Sequence, residues 1–151
     1  MKRMIALMIA VMMSASVFAG CGGGSELNKV MQDINSSYNL ELKTIESKDD
    51  LAKYYSIKPE SIKQFAAEID SNANAPVEII FIEATDDAAA EEVQKALTAR
   101  YNSILSQYAS YTPEKLDMVK ECEVTKEGKY VTLVVADNAA EIRQKFSDNV
   151  K

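Results

Sequence analysis

The sequence contains no histidine and no tryptophan, and it has only two cysteines. Without histidine it lacks the commonest general base of Ser and Cys hydrolases and the commonest side-chain ligand of zinc and copper. It also lacks a Gly-rich phosphate-binding loop and a nucleophile elbow. Because no serine has an evident base, we expect no catalytic residue, no cofactor site and no metal site. The predicted protein is therefore not an enzyme.

The remaining composition is that of one folded domain. The chain has 151 residues, of which 47% are hydrophobic and 26% are charged, which is close to the average for globular proteins. It carries 17 Lys and Arg against 23 Asp and Glu. Loss of the first twenty residues would remove Lys2 and Arg3 but no acid, leaving 15 against 23, a net charge of −8. So acidic a surface repels phosphate groups, and nucleic acid is not an expected partner.

The N-terminus has the pattern of an export signal. Lys2 and Arg3 precede an apolar run over 4–17, which is too short for a comfortable membrane-spanning helix and is typical of a signal peptide. The run ends in Phe18-Ala19-Gly20-Cys21, which resembles a bacterial lipobox. In that motif the cysteine thiol receives a diacylglyceryl group and the preceding peptide bond is cut. The pattern predicts a signal peptide over 1–20.

Cys21 would then be the first mature residue and the site of lipidation. The Gly-rich stretch 21–25 would form a tether, and two or more acyl chains such as palmitate would hold the protein stably on the bilayer. The predicted location is the cell membrane, with the domain facing outside the cytoplasm. Phe18 stands where the motif usually has Leu, and an ordinary secretory signal cut after Ala19 or Gly20 is the alternative.

The second cysteine, Cys122, has no partner for an intramolecular disulfide once Cys21 is acylated. It lies between Glu121 and Glu123 in a predicted strand, where carboxylates would raise the thiol pKa. We expect a small buried core residue, with a reactive thiol as the alternative.

Hydrophobic periodicity predicts a single α+β domain over 26–151. The order is α-α-β-β-α-β-β-α, and the natural packing is a two-layer sandwich of a four-stranded, largely antiparallel sheet with the helices on one face. The predicted helices cover about 26–38, a short segment capped by Ser47 and ending near Ile57, 86–109, and a last helix capped by Asn138 with Glu141; the predicted strands cover 62–70, 77–83, 118–125 and 130–136.

Two strand-to-helix corners, 82–95 and 134–145, have similar sequences. They are consistent with a duplicated ββα unit. Chance likeness between two Ala-rich helix starts is the alternative.

Several stretches together resemble an uncharacterised family of small lipoproteins from Gram-positive bacteria that share a domain of unknown function, DUF4358. They cover most of the chain from about 45 to 151 and comprise Leu51, Tyr54, Tyr55 and Ile57 before Pro59-Glu60, the helix start 88–97, Tyr111-Thr112-Pro113-Glu114, and 128–135. The chain has Ser56 where members usually have Gly. The resemblance implies a lipid-anchored extracytoplasmic domain, and it carries no catalytic residues.

Two sequence patterns match known functional sites only in part. Asp70, Asn72 and Asn74 match the opening of an EF-hand calcium loop, but Ala75 replaces the required Gly and Phe81 replaces the bidentate Glu. A polar hairpin turn is the better interpretation.

Carboxylate pairs also occur at three places, and two carboxylates are the minimum for glycoside hydrolysis. Each pair falls at a predicted helix start or on an exposed helix surface, where the helix dipole and solubility explain it. The pairs are Asp49-Asp50, Asp86-Asp87 and Glu91-Glu92.

Five of the seven tyrosines are expected to converge where the first helices meet the end of the long one. They are Tyr54, Tyr55, Tyr101, Tyr108 and Tyr111. Tyrosines suit interfaces and ligand walls as well as cores. Tyr101 and Tyr108 have core spacing, whereas Tyr54 and Tyr55 cannot both point inward, so one exposed ring is expected.

Three functional hypotheses follow. The first is a non-enzymatic module or accessory subunit that binds another envelope protein. The second is a module for a small ligand or cell-wall fragment, which needs a pocket lined by the tyrosines. The third is a hydrolase that uses a carboxylate pair, for which no substrate is suggested.

Overall fold

The computed structural model describes residues 26–71 and 76–150. The predicted signal peptide, Cys21 and the Gly-rich tether lie outside the described residues. The elements in chain order are α1 (Glu26–Tyr38), β1 (Lys43–Thr44), α2 (Lys48–Tyr55), a 3-10 turn (Pro59–Ser61), β2 (Ile62–Ile69), β3 (Glu78–Ala84), α3 (Asp87–Tyr111), α4 (Pro113–Lys120), β4 (Glu123–Glu127), β5 (Tyr130–Val135) and α5 (Ala139–Asn149).

The described strands form one antiparallel sheet in the order β1-β2-β3-β5-β4. The predicted mixed α+β fold with an antiparallel sheet is confirmed, but the prediction of four strands is wrong. The additional strand, β1, is only two residues long and pairs Lys43 with Ile69 and Thr44 with Glu68. A strand of two residues is too short to show an alternation of polar and apolar side chains, and it is defined only by its pairing with β2.

Helices cover both faces of the sheet. Phe81 of β3 stacks on Phe146 of α5 with ring centroids 4.4 Å apart, whereas Glu78, on the opposite face of the same strand, binds Arg100 of α3. α1 packs beside α5, while α2 and α4 pack beside α3. The two-layer prediction is therefore wrong, and the domain has three layers. Strand β3 is buried on both faces along its whole length, so both faces require a covering layer.

This layering also argues against the duplicated ββα unit. β3 and β5 are antiparallel neighbours. A rotation that superposes β2-β3 on β4-β5 therefore has its axis perpendicular to the sheet, and it does not exchange the two faces of the sheet. A duplicated unit would thus have α3 and α5 on one face. They lie on opposite faces, so the two units have opposite hands and the prediction of a duplication is wrong.

Local capping signals are largely confirmed. The predicted bounds of α1 match, Ser47 Oγ accepts from the Asp50 N–H at 3.0 Å, and Asp86 Oδ1 accepts from the Ala89 N–H at 2.8 Å. α2 ends at Tyr55, earlier than expected, because Ser56 adopts the left-handed conformation with φ of 57°.

Two other local predictions are wrong. Residues 118–120 belong to α4, which begins with a proline in the first helical position, a favourable place for it, so β4 starts only at Glu123. Asn138 makes no side-chain cap to α5. Glu141, expected in its capping box, instead accepts a hydrogen bond from the Tyr38 hydroxyl at 3.2 Å.

Replacement of Phe81 by Ala should lower the free energy of unfolding by about 3–5 kcal/mol. The side chain is fully buried at the centre of the sheet and stacks on Phe146, so its loss leaves a cavity. Urea unfolding of the domain 26–151 measures the change. Tyr54→Ala, at an exposed position, is the control and should stay within about 0.5 kcal/mol; equal losses in both variants would contradict the proposed packing.

Candidate functional site

A buried ion pair joins strand β3 to helix α3, which covers one face of the sheet. Glu78 opens β3 and is almost wholly buried, and Arg100 lies on α3 with its side chain 35% exposed. Arg100 Nη2 donates to Glu78 Oε1, and Arg100 Nε donates to Glu78 Oε2 at 3.1 Å. The guanidinium therefore binds the carboxylate in a bidentate geometry, which fixes the position and the orientation of both side chains.

Two buried tyrosines complete this group, which we call the Glu78–Arg100 cluster and define as Tyr55, Glu78, Arg100 and Tyr108. The Tyr55 hydroxyl, from α2, donates to Glu78 Oε2 at 3.2 Å. Burial, and then the charge of Glu78, raise the pKa of Tyr55 and of Tyr108. The hydrogen bond with Glu78 raises the pKa of Arg100. The phenols thus stay neutral while the guanidinium stays charged.

The predicted convergence of tyrosines is confirmed for Tyr55 and Tyr108 but not for Tyr101. The Tyr101 hydroxyl donates instead to the Val119 carbonyl of α4 at 2.9 Å.

Two exposed rings flank the cluster. Tyr54 is 56% exposed and Tyr111 is 84% exposed. The Tyr54 ring centroid lies 6.3 Å from that of the buried Tyr55, and Tyr111 follows Tyr108 by three residues, about one turn of α3. The prediction that one ring of the Tyr54-Tyr55 pair is exposed is confirmed. Both exposed rings therefore sit on elements that the cluster holds in place.

Glu78 and Arg100 were not recognised as candidate residues from the sequence. The available signal is the acid at the start of an otherwise apolar strand, because a carboxylate in a strand covered on both faces needs a cation or several donors. The sequence does not indicate which cation supplies it.

Two further carboxylates are buried on the opposite face of the sheet. Glu83 accepts from Lys63 Nζ and Gln64 Nε2, both at 2.6 Å; burial opposes ionisation, but these bonds outweigh it and lower the pKa of Glu83. Glu68 accepts from Asn35 Nδ2 at 2.8 Å and from Thr44 Oγ1 at 3.4 Å. Burial raises the pKa of Glu68, since neither of these partners carries a positive charge.

The carboxylate pairs of the sequence lie at helix starts or on exposed helix surface, as predicted. Asp49 and Asp50 are in the first turn of α2, and Asp86 caps α3 ahead of Asp87. Glu92 forms an exposed ion pair with Lys58 at 3.1 Å, and Glu91 is exposed.

The calcium-like stretch joins β2 to β3. Asp70 N–H donates to the Val77 carbonyl at 3.0 Å, as expected of a hairpin connection, and residues 72–75 lie outside the described part of the chain. Within 26–71 and 76–150, no three acidic or cysteine side chains come together as a metal site.

Cys122 is buried, as predicted, but it lies between α4 and β4 and not within a strand. Its thiol donates to the Met118 carbonyl at 3.3 Å. Burial is the largest effect on this thiol and raises its pKa.

The concavities of the described surface include a cavity beside α5 and a groove beside α3. A cavity of about 200 Å³ lies between the β4-β5 hairpin and α5, lined in part by Thr125, Tyr130, Thr132 and Arg143. It is smaller than the roughly 300–1,000 Å³ of typical ligand pockets. A wider groove of about 500 Å³, here called the α3–β4 groove, is lined by Glu91, Gln94, Lys95, Thr98, Ala99, Asn102 and Lys126. The five tyrosines expected to wall a ligand pocket line neither concavity.

Replacement of Arg100 by Met should lower the free energy of unfolding by roughly 2–3 kcal/mol, because the Glu78 carboxylate stays buried without its cation. Adding Glu78→Gln to that variant should recover part of the loss. Urea unfolding of the domain 26–151 measures both.

The matched control is Lys58→Met, which breaks the exposed pair with Glu92 and should cost less than about 1 kcal/mol. If Arg100→Met were no more harmful than this control, Glu78 would not depend on Arg100.

Comparison with known families gives one match. The family model for a domain of unknown function, DUF4358, matches residues 32–136, which is more than half of the chain and includes the whole Glu78–Arg100 cluster. No curated protein and no solved structure matches the chain.

Proposed function

The chain belongs to the DUF4358 family, and we propose that its domain is a non-enzymatic interaction module, held on the outer side of the cell membrane by lipid on Cys21. The proposed protein is a lipoprotein of the kind that the sequence resembles in Gram-positive bacteria. It binds another envelope protein or serves it as an accessory subunit.

The sequence before the described domain supports the anchor. Lys2 and Arg3, the apolar run 4–17 and the small residues before Cys21 have the order of a lipoprotein signal. α1 begins at Glu26, five residues after Cys21. At about 3.5 Å per extended residue, the domain begins within roughly 18 Å of the Cα atom of Cys21. Among the described residues, no helix has the length and apolar character needed to cross a membrane.

The anchor would define which end of the domain lies near the bilayer. The charge of Glu26 acts on Lys63, at the start of β2, and on Tyr130, at the start of β5, so these starts share one end with the start of α1. Arg100 binds Glu78 at the opposite end of β3. Tyr111 lies eleven residues further along α3, about 16 Å beyond. Lipid on Cys21 would thus leave Tyr111 at the end away from the membrane.

The exposed rings of Tyr54 and Tyr111 carry the proposal of a protein partner. A tyrosine offers a large apolar surface with a polar tip and little conformational entropy to lose, so it is enriched at binding hot spots. Both rings project from helices that the Glu78–Arg100 cluster fixes to the sheet. The alternative, a module for a small ligand or cell-wall fragment, has less support because the five tyrosines line neither of the two concavities described above.

Replacement of Cys21 by Ala should abolish incorporation of an alkyne-labelled palmitate in growing cells, because the acylated sulfur is lost. Mass spectrometry should detect the uncut precursor of this variant and no chain that begins at residue 21. Cys122→Ala is the matched control and should label like the unmodified protein. Labelling that persists in Cys21→Ala, or disappears in Cys122→Ala, would rule out lipidation at Cys21.

A photo-crosslinking residue at Tyr111 or Tyr54 in the full-length tagged protein should capture one reproducible envelope protein in living cells. The same residue at Asp148, exposed near the opposite end of the domain, is the control and should not. A tagged unrelated lipoprotein defines the background. Recovery of the bait alone at both tyrosine positions would contradict this contact surface.

A further inference from the structure

One long edge of the sheet is unpaired within the described residues. β4 is the last strand and pairs only with β5, while the other edge strand, β1, has two residues. The β4-β5 connection consists of Gly128, with φ of 57°, and Lys129, and it is closed by the pair Glu127 and Tyr130. In a two-residue hairpin the closing pair exchanges both hydrogen bonds, and every second pair does the same. The N–H and C=O groups of Val124 and Lys126 therefore point outward.

The outward-pointing edge borders the α3–β4 groove. The Lys126 side chain lines one side of that groove. The other side is lined by α3, including its small residues Thr98 and Ala99. Because directly opposed residues of neighbouring strands share a face, a strand added to β4 would place alternate side chains in the groove. Main-chain bonds to the edge and side-chain contacts with the helix are the two elements of recognition by strand addition.

The charge of the groove indicates what it would accept. Lys95 and Lys126 both line it, and neither forms an ion pair with another described residue. Glu91, one turn before Lys95, is the only acid in the lining. In a mature chain of net charge −8, this local excess of positive charge favours an acidic side chain.

A second copy of this chain fits the edge poorly. Two β4 strands paired antiparallel about Thr125 would place Glu123 opposite Glu127 at both ends of the ladder. Like charges directly opposed are destabilising in a sheet, and charged edge strands commonly prevent self-association in this way.

We propose that β4 accepts an extended acidic peptide segment of a partner protein as a sixth strand, with an acidic side chain between Lys95 and Lys126. This inference deepens the proposed interaction role, on which it rests, by naming a site and a class of partner. It is independent of lipidation at Cys21.

Fluorescence anisotropy of labelled peptides with full-length protein in detergent micelles tests the proposal. The probes are ten-residue peptides of alternating Thr and Val, in which Glu, Lys or Ser occupies the alternate central positions. We expect the Glu series to bind most tightly. Lys126→Gln and Lys95→Gln should each weaken binding of the Glu series by about two- to fivefold, whereas Lys115→Gln, on α4, should leave it unchanged.

Two further measurements separate strand addition from simple charge attraction. Lys126→Pro should abolish binding and leave the melting temperature nearly unchanged, because the lost N–H points away from β5 and proline is tolerated on an edge. Residue-resolved hydrogen exchange should show that the amides of Val124 and Lys126 gain protection with the Glu peptides, while the Thr125 amide, bonded to β5, is protected throughout.

Equal binding of the Glu and Lys series, or unprotected amides at Val124 and Lys126 with saturating peptide, would overturn the proposal. Protection of these amides that rises with protein concentration alone would assign the edge to a second copy and also overturn it. A partner captured at Tyr111 despite such results would leave the proposed interaction role standing without this site.

Discussion

The buried carboxylate of Glu78 is the constraint around which the α3 side of the domain is arranged. It lies at the start of the central strand, where helices cover both faces and leave the carboxylate little contact with water. Arg100 neutralises it from α3, and Tyr55 donates to it from α2. One polar group thereby fixes the positions of two helices relative to the sheet. A buried ion pair of this kind contributes little net stability, but it penalises arrangements that would separate its members.

This arrangement links the core to the exposed surface. Tyr54 and Tyr111 are exposed, yet each neighbours a tyrosine of the Glu78–Arg100 cluster, so their positions follow from buried contacts. A surface that is already ordered loses little entropy when a partner binds. The proposed anchor and the exposed Tyr111 belong to opposite ends of the domain, which would keep that ring clear of lipid headgroups. The α3–β4 groove offers a second, more polar surface on the same face of the sheet.

The features predicted correctly from the sequence are those encoded within a few residues. The bounds of α1, the cap at Ser47, the hairpin connection between β2 and β3 and the burial of Cys122 depend on local patterns. The errors concern relations between distant segments: β1 exists only through its pairing with β2, and the helices divide between two faces although their sequences do not state which face each covers. The stretch 130–136 is apolar on nearly both sides, which is the pattern of a strand covered on both faces. The pairing of Glu78 with Arg100 could not be predicted, because it depends on how α3 lies across the sheet.

The strand order has a consequence for how the chain reaches its folded state. β3 lies between β2, which precedes it directly, and β5, which begins only at Tyr130. On the proposed export route the N-terminus emerges first, so the β2-β3 hairpin leaves the translocation channel well before β5. Until then the apolar edge of β3 is bare and open to intermolecular pairing or proteolysis. The time needed to deliver the roughly fifty residues from the end of β3 at Ala84 to the end of β5 at Val135 thus defines a vulnerable interval that extracytoplasmic folding factors would have to cover.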